Sequence, residues 1–194
     1  MTSAREPLRV LGIDPGTRHV GWGVIEQLGT KITHIAHGVV DTDTTRSIPA
    51  RLVEIDDALE QVLLEYRPNV GVVEAIFYAK DPQAAAKLGH GRGVALLRLA
   101  RAGLPIFEYP PSRVKRAVTG MGMATKEQVA RVICSLLGLG ASPRLDASDA
   151  LANAFAHLAF ARFHAAIEAS GATLPPTSKR TRARSAAPRP TRPR

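Results

Sequence analysis

Four acidic residues occupy positions where apolar packing alone gives no reason for a charge. Asp14 and Glu74 each close a short apolar run, and Asp146 and Asp149 open a long helical one. Asp146 and Asp149 are three residues apart, so both side chains project from neighbouring positions on one helix face. If the two runs form adjacent strands and this helix begins over their ends, four carboxylates converge.

Carboxylates placed this close repel one another, and cations between them relieve the repulsion. Mg²⁺ fits such a site because it prefers oxygen ligands and is commonly held by a few carboxylates and substrate phosphates. Two ions about 3.5–4 Å apart would activate a water and stabilise the leaving oxygen of a phosphoryl displacement. The six histidines show no spacing typical of metal ligands. The pattern therefore predicts Mg²⁺-dependent phosphodiester hydrolysis.

Each acid also has a simpler interpretation. Asp146 would serve as a helix N-cap, and Asp149 as a first-turn acid that complements the helix dipole. Asp14, which precedes Pro15-Gly16, would only start a turn. Glu74 is harder to explain in this way, because an acid at the end of a buried strand is costly without a partner. The set of four favours a catalytic site more strongly than any single member does.

The elements that would position these acids follow from the hydrophobic periodicity. Apolar runs bounded by turn residues predict strands, and apolar residues at helical spacing predict helices. Strands are predicted at 8–14, 20–25, 31–40, 70–73 and 106–109, and helices at about 52–66, 82–102, 125–137 and 146–168, with a further helix start at 110–112. This order predicts an α/β domain whose mixed sheet has an antiparallel meander on one side and parallel crossovers on the other.

The chain is basic, but its charge is unevenly distributed. Most of the formal net charge of +9 comes from residues 174–194, which hold one Lys, six Arg and no acid. This segment is rich in Pro and lacks periodicity, so it cannot build a core and we predict it to be disordered. It would either add salt-sensitive attraction to phosphates or remain a solvated extension.

The rest of the composition is typical of one soluble domain. The chain has 194 residues, 45% of them hydrophobic, which is enough to bury one core. The single cysteine, Cys134, allows no internal disulfide and fits a reducing compartment. No apolar run has the length or flanks of a signal peptide or a membrane span. The sequence therefore predicts a cytoplasmic protein without membrane contact.

Segments spread over roughly residues 9–160 resemble the RuvC family of Holliday-junction resolvases. The Gly-Ile-Asp-Pro-Gly segment alone is common to a wider superfamily, whereas the ordered set is specific. The matching segments are Leu11–Thr17, Gly21–Val24, Val73–Phe77, Ala79–Lys80, Lys87–Gly89, Arg92–Ala95, Phe107–Tyr109, Val114–Lys115 and Asp146–Ala152. The chain departs from the family at Ala75, where members often carry Gln, and at Asp146, where some carry His.

The resemblance implies a ribonuclease H-like nuclease domain over residues 1–170, with a mixed five-stranded sheet flanked by helices, and a basic tail over 171–194. It implies that the catalytic carboxylates, which are also the ligands of two Mg²⁺ or Mn²⁺ ions, are Asp14, Glu74, Asp146 and Asp149. The implied reaction is the resolution of four-way junction DNA by paired symmetric nicks, in homologous recombination and DNA repair. The implied partners are a second copy of the chain and a branch-migration helicase complex of the RuvA and RuvB type.

Four further residues are candidates for DNA contact. Phe77 corresponds to a family aromatic near the junction crossover, where it would stack on an unpaired base, although a core aromatic is the alternative. Lys115 and Lys126 occupy positions where family members carry lysines near the scissile phosphates, and Lys126 could also be an exposed first-turn residue. Arg92 lies between two glycines that permit close approach to a phosphate.

Other functions fit the sequence less well. Actin-like ATPases and sugar kinases share the first strand and turn, but they need two such domains. The segment 120–126 lacks the Gly-Lys-Ser/Thr ending of a phosphate loop. A module that only binds nucleic acid has no need for four metal-site carboxylates. A nuclease of the same fold acting on RNA or another branched DNA stays an open alternative.

Overall fold

The computed structural model describes residues 6–75 and 82–170, with side chains described for all of these except 82–84 and 162–170. Five strands and five helices follow one another in the predicted order. They are β1 (Leu8–Asp14), β2 (His19–Leu28), β3 (Lys31–Asp41), α1 (Ile48–Tyr66), β4 (Val70–Glu74), α2 (Pro82–Arg101), β5 (Ile106–Tyr109), α3 (Pro111–Thr119), α4 (Lys126–Leu136) and α5 (Leu145–Ser170).

The strands form one mixed sheet in the order β3-β2-β1-β4-β5. β1, β2 and β3 pair antiparallel, whereas β4 pairs parallel with both β1 and β5. The predicted meander and crossovers are therefore confirmed. β2 runs three residues beyond the predicted end at 25, because the pairing with β3 continues past a register shift at Val24/Ile25 as far as Leu28.

Local sequence signals explain where α1 ends and where α4 begins. The chain leaves α1 at Arg67, which adopts a left-handed conformation with φ of 45° and donates its N–H to Leu63 O just before Pro68. α4 begins with a capping box, in which Thr125 and Gln128 each bond the other's backbone N–H. Both boundaries lie close to the predicted ones.

Helices cover both faces of the sheet and create two apolar layers. One layer joins the sheet to α1 and α2, and its largest buried side chains include Leu11, Ile13, Ile55 and Leu99. The other joins the sheet to α3, α4 and α5, with Ile25, Ile133, Leu151 and Leu158 among its buried residues. No helix of the described segments is long and apolar enough to cross a membrane.

Glycines allow α5 to lie directly on the sheet. A Cβ added at Gly12 of β1 would stand 1.9 Å from Ala150 O, and one added at Gly21 of β2 would stand 1.9 Å from Asp146 O. Contacts this short leave no room for any side chain. The first turn of α5 is therefore fixed against the end of the β1–β2 hairpin.

Candidate active site

Two of the predicted acids end neighbouring strands. Asp14 is the last residue of β1, and Glu74 is the last residue of β4. The two strands are parallel and adjacent, and Ile13 pairs with Val73 immediately before the acids. Both carboxylates therefore lie at the same edge of the sheet, as the sequence predicted.

The other two acids come from the start of α5, Asp146 from its first turn and Asp149 from the turn that follows. Asp146 and Asp149 follow the helix start at Leu145, where the backbone of Asp146 touches Gly21. Gly21 is in turn the β2 partner of Asp14. The close approach of α5 to the sheet thus brings the helical acids to the strand ends.

The electrostatics of Asp14 show that the four carboxyl groups influence one another. The pKa of Asp14 is raised to about 8, first by burial and then by the charges of Glu74, Asp149 and Asp146, with Lys126 opposing the rise. Burial also raises the pKa of Glu74, with Asp149 adding to the effect and Lys126 opposing it. A buried cluster of this kind is most stable with positive charge beside it.

Lys126 supplies one such charge. Its Nζ donates to Asp149 Oδ2 at 2.6 Å, although 57% of the Lys126 side chain is exposed. Burial of the ammonium lowers the pKa of Lys126, but the carboxylates of Asp149, Asp14 and Glu74 raise it by more, so the net change is upward. The lysine predicted to contact a phosphate therefore lies among the candidate metal ligands.

An open cleft of about 520 Å³ leads to the acids. Its lining includes Asp14, Glu74, Asp146, Lys126 and the β1–β2 turn from Pro15 to His19. A smaller cavity of about 200 Å³ lies on the other side of Glu74 and Lys126. Lys115 and Asp149 line this smaller cavity, so both predicted lysines face the acidic cluster.

The acids provide the donors that a hard divalent cation needs, but not a finished cage. Within residues 6–75 and 82–170, no three His, Cys, Asp or Glu side chains are arranged to hold one ion. Mg²⁺ is commonly bound by only one or two carboxylates, with waters and substrate phosphates as its other ligands. The raised pKa of Asp14 indicates that positive charge at this position would be strongly favoured. The chemistry of the donor set therefore fits Mg²⁺.

Asn153 is a site residue that the sequence did not reveal. It lies one helical turn after Asp149, is only 1% exposed, and donates from Nδ2 to Ile13 O at 3.2 Å. It also lines the smaller cavity, and its Oδ1 has no hydrogen-bond partner among the described residues. Asn153 therefore ties α5 to the strand residue that precedes Asp14. The only signal in the sequence is its spacing of four from Asp149.

A second supporting group lies at the rim of the cleft. Arg144 donates to both carboxylate oxygens of Asp41, at 2.6 and 2.9 Å, and its Nη2 is 3.8 Å from Asp146 Oδ2. His19 bonds Asp41 through Nδ1 at 2.6 Å. The bonds from Arg144 and then His19 lower the pKa of Asp41 to about 2. These bonds hold Arg144, the residue before α5, against the ends of β2 and β3 beside Asp146.

The two remaining candidates for DNA contact are Arg92 and Phe77. Arg92 donates to the carboxylate of Glu108, and its Nε lies 3.4 Å from Glu74 O. Arg92 therefore supports the backbone at the end of β4, and its contact with phosphate stays a prediction. Phe77 lies outside the described residues, so its stacking role also stays a prediction.

Comparisons with known proteins identify relatives over most of the chain. Residues 10–157 match the family model described as crossover junction endodeoxyribonuclease RuvC. The crossover junction endodeoxyribonuclease RuvC of Sorangium cellulosum (strain So ce56) is 58% identical over 177 residues, which are 91% of this chain and 99% of that protein. The family model extends over all four candidate acids.

Solved structures agree with this assignment. A structure of T. thermophilus RuvC in complex with Holliday junction substrate is 36% identical, has a TM-score of 0.76, and matches 81% of this chain and 96% of that chain. The yeast mitochondrial Holliday junction resolvase Ydc2 is 16% identical, has a TM-score of 0.58 and matches 87% of this chain and 83% of that chain, which supports the fold alone. The architecture is thus a ribonuclease H-like fold.

Proposed function

The chain belongs to the RuvC family of crossover junction endodeoxyribonucleases, and from this premise we propose that Asp14, Glu74, Asp146 and Asp149 are its catalytic carboxylates. The substrate of the proposed reaction is four-way junction DNA, which is cut by paired symmetric nicks to resolve the junction in homologous recombination and DNA repair. The observation that carries the assignment of residues is the convergence of the four acids at the ends of β1 and β4 and the start of α5, where the charges of Glu74, Asp149 and Asp146 all act on Asp14.

The same four residues are the proposed ligands of two Mg²⁺ ions, for which Mn²⁺ would substitute. When bound, these ions would supply an activated water and positive charge at the phosphate. The carboxylates would hold and orient these ions, with Asp14 and Glu74 partly buried at the ends of their strands. With a cation bound at the site, Asp149 would no longer need the Lys126 ammonium as its counter-charge.

The two lysines are the proposed phosphate ligands of the cleft. Lys115 reaches the smaller cavity from α3, and Lys126 reaches both cavities from the start of α4. The ammonium of lysine is a compact point charge on a flexible side chain, so it can stay in contact with a phosphate whose position changes during the reaction. We expect Lys126 to bind the phosphate that is cut, which requires its bond to Asp149 to loosen. Arg92 and Phe77 are proposed as further DNA contacts on the strength of the family resemblance alone.

The proposed assembly is a homodimer in the cytoplasm. A four-way junction with symmetric cut sites suits a two-fold pair of active sites. The nuclease domain is proposed to occupy residues 1–170, and the basic tail 171–194. A branch-migration helicase complex of the RuvA and RuvB type is the proposed partner that delivers the junction.

The test compares junction cleavage by the full chain with cleavage by Asp14→Asn, which keeps the side-chain shape and removes the charge. A labelled four-way junction and a linear duplex of matched sequence are incubated with Mg²⁺ or with EDTA. Asp57→Asn is the matched control, because Asp57 is an exposed acid on α1, on the opposite face of the sheet. We expect symmetric, ligatable nicks in the junction only, with Mg²⁺ only, at a rate at least about a thousandfold lower in Asp14→Asn.

Three results would contradict the proposal in different ways. Junction binding without cleavage in the presence of Mg²⁺ or Mn²⁺ would leave a binding module. Equal cutting of the duplex would keep the nuclease and remove its specificity for the junction. Full activity of Asp14→Asn would remove the assigned carboxylate site and leave the family assignment intact.

A further inference from the structure

A short loop joins the two helices that carry the lysines of the active site. This loop, residues 120–125 and called here the Met loop, contains Met121 and Met123. We propose that the two methionine side chains contact the sugars and base edges in the minor groove of the DNA arm whose backbone enters the cleft. The inference rests on the proposed function, because it takes DNA as the substrate.

The Met loop exposes two large apolar side chains to solvent. Met123 is 95% exposed and Met121 is 56% exposed, and Met123 has the largest exposed fraction of the big hydrophobic side chains in the described part of the chain. Single exposed apolar residues are ordinary on protein surfaces. Two of them within three residues, beside an active site, form a small apolar projection that a ligand can cover.

The loop is held in place by its own hydrogen bonds. Gly120 ends α3 with φ of 78°, a left-handed conformation that favours glycine. The Met121 N–H donates to the Thr119 hydroxyl at 3.1 Å, and Ala124, which is buried, donates its N–H to Met121 O at 3.4 Å. The capping box at Thr125 then begins α4. Because the loop is ordered before binding, a ligand would lose little affinity in fixing it.

Positive side chains flank the methionines. Lys126 follows the loop directly and bonds Asp149 in the candidate active site. Lys115 lines the smaller cavity from α3, and the guanidinium of Arg116 lies beside Gly122 within the loop. An apolar projection between cations fits DNA, in which phosphate ridges border a groove with apolar sugar surface. Methionine suits such a contact because its side chain is flexible and polarisable.

The methionine content of the chain permits a direct measurement. The chain has three methionines, and two of them are in the Met loop. Full-length Asp14→Asn protein labelled with ¹³C at the methionine methyl groups would give few signals, and Met121→Leu and Met123→Leu would assign the two that matter. We expect both signals to shift when uncut four-way junction DNA binds. Without DNA, the positions of both signals should change little with protein concentration.

Affinity measurements separate an apolar contact from a charge contact. The double variant Met121→Ser/Met123→Ser should bind the junction about 5–20-fold more weakly, in keeping with the loss of apolar burial. The slope of log affinity against log salt should stay unchanged, whereas Lys115→Ala should reduce that slope by about 0.9. Leu64→Ser is the matched control, because Leu64 is 63% exposed on α1, away from the cleft.

The outcomes distinguish this inference from the proposed function. Methyl signals that stay fixed while the junction binds would overturn the contact and leave junction cleavage untouched. Signals that shift with protein concentration alone would assign the loop to an interface between two copies and also overturn it. A wild-type protein that neither binds nor nicks the junction would overturn both proposals together.

Discussion

Asp14 is partly buried beside other carboxylates, and this placement has a cost in the absence of a cation. The carboxyl group has a pKa of about 8 in the folded protein, against 3.8 for an ordinary aspartate. The folded state therefore keeps a proton that the unfolded chain has already released between about pH 4 and pH 8. Asp14 makes the free energy of unfolding fall as pH rises through this window. The same residue that weakens the metal-free fold is the one best placed to bind a cation.

This sign gives a prediction for Asp14→Asn. Asn lacks the ionisable group, so in EDTA at pH 8 the variant should have a free energy of unfolding about 2–5 kcal/mol higher than the wild type. The difference should shrink as the pH falls towards 4, because Asp14 then becomes protonated in the unfolded chain as well and no longer favours unfolding. Urea denaturation at several pH values measures it.

Addition of Mg²⁺ provides the internal control for that prediction. Binding to the folded state should stabilise the wild type at pH 8 and leave Asp14→Asn nearly unchanged. If the wild type and the variant have the same free energy of unfolding in EDTA at pH 8, then ionised Asp14 does not destabilise the folded protein. The assigned burial and repulsion would then be wrong.

At the scale of elements, the site depends on how closely α5 lies on β1 and β2. Ala147, Ala150 and Ala154 on the helix are all buried, and the facing strand positions include Gly12 and Gly21. Small residues on both sides let the backbones meet, which brings the first turn of α5 to the strand ends. The positions of Asp146 and Asp149 are thus set by glycines that have no chemistry of their own.

Gly21→Ala tests this dependence. The added Cβ would lie 1.9 Å from Asp146 O, so the first turn of α5 must move. We expect the free energy of unfolding to fall by about 1–3 kcal/mol, and junction cleavage to fall at least about tenfold because the helical acids shift. Gly140→Ala, in the loop before α5, is the matched control, since an added Cβ there meets nothing within 4 Å. Unchanged cleavage in Gly21→Ala would show that the site tolerates movement of α5.

The contrast between predicted and unpredicted residues has a physical basis. Asp14 and Glu74 were predictable because each ends an apolar strand, and the helical acids because of their spacing. Asn153 and Arg144 act through contacts with Ile13 and Asp41, which are 140 and 103 residues away along the chain. Local periodicity contains no information about contacts over such separations. The antiparallel meander and the parallel crossovers were predictable because short connections leave few arrangements for strands in this order.

At the scale of the whole molecule, we expect specific and non-specific attraction to DNA to have separate sources in the sequence. The carboxylates, the lysines and the Met loop lie on the folded domain, whereas seven of the positive charges lie in residues 174–194. Contacts between basic side chains and phosphates attract any DNA backbone and carry no sequence or shape information by themselves. Selectivity for four-way DNA should therefore depend on the domain, and general affinity should depend in part on the tail.

Deletion of residues 174–194 tests this division. We expect weaker binding to junction and duplex alike at low salt, because fewer counterions are released from the DNA. The slope of log affinity against log salt should become shallower by about 0.9 for each lost phosphate contact, while the ratio of junction to duplex affinity stays constant. A full-length variant with Ser in place of the seven basic tail residues controls for chain length and should behave like the deletion. A fall in the affinity ratio would instead show that the tail takes part in junction recognition, and an unchanged slope would show that the tail stays solvated when DNA is bound.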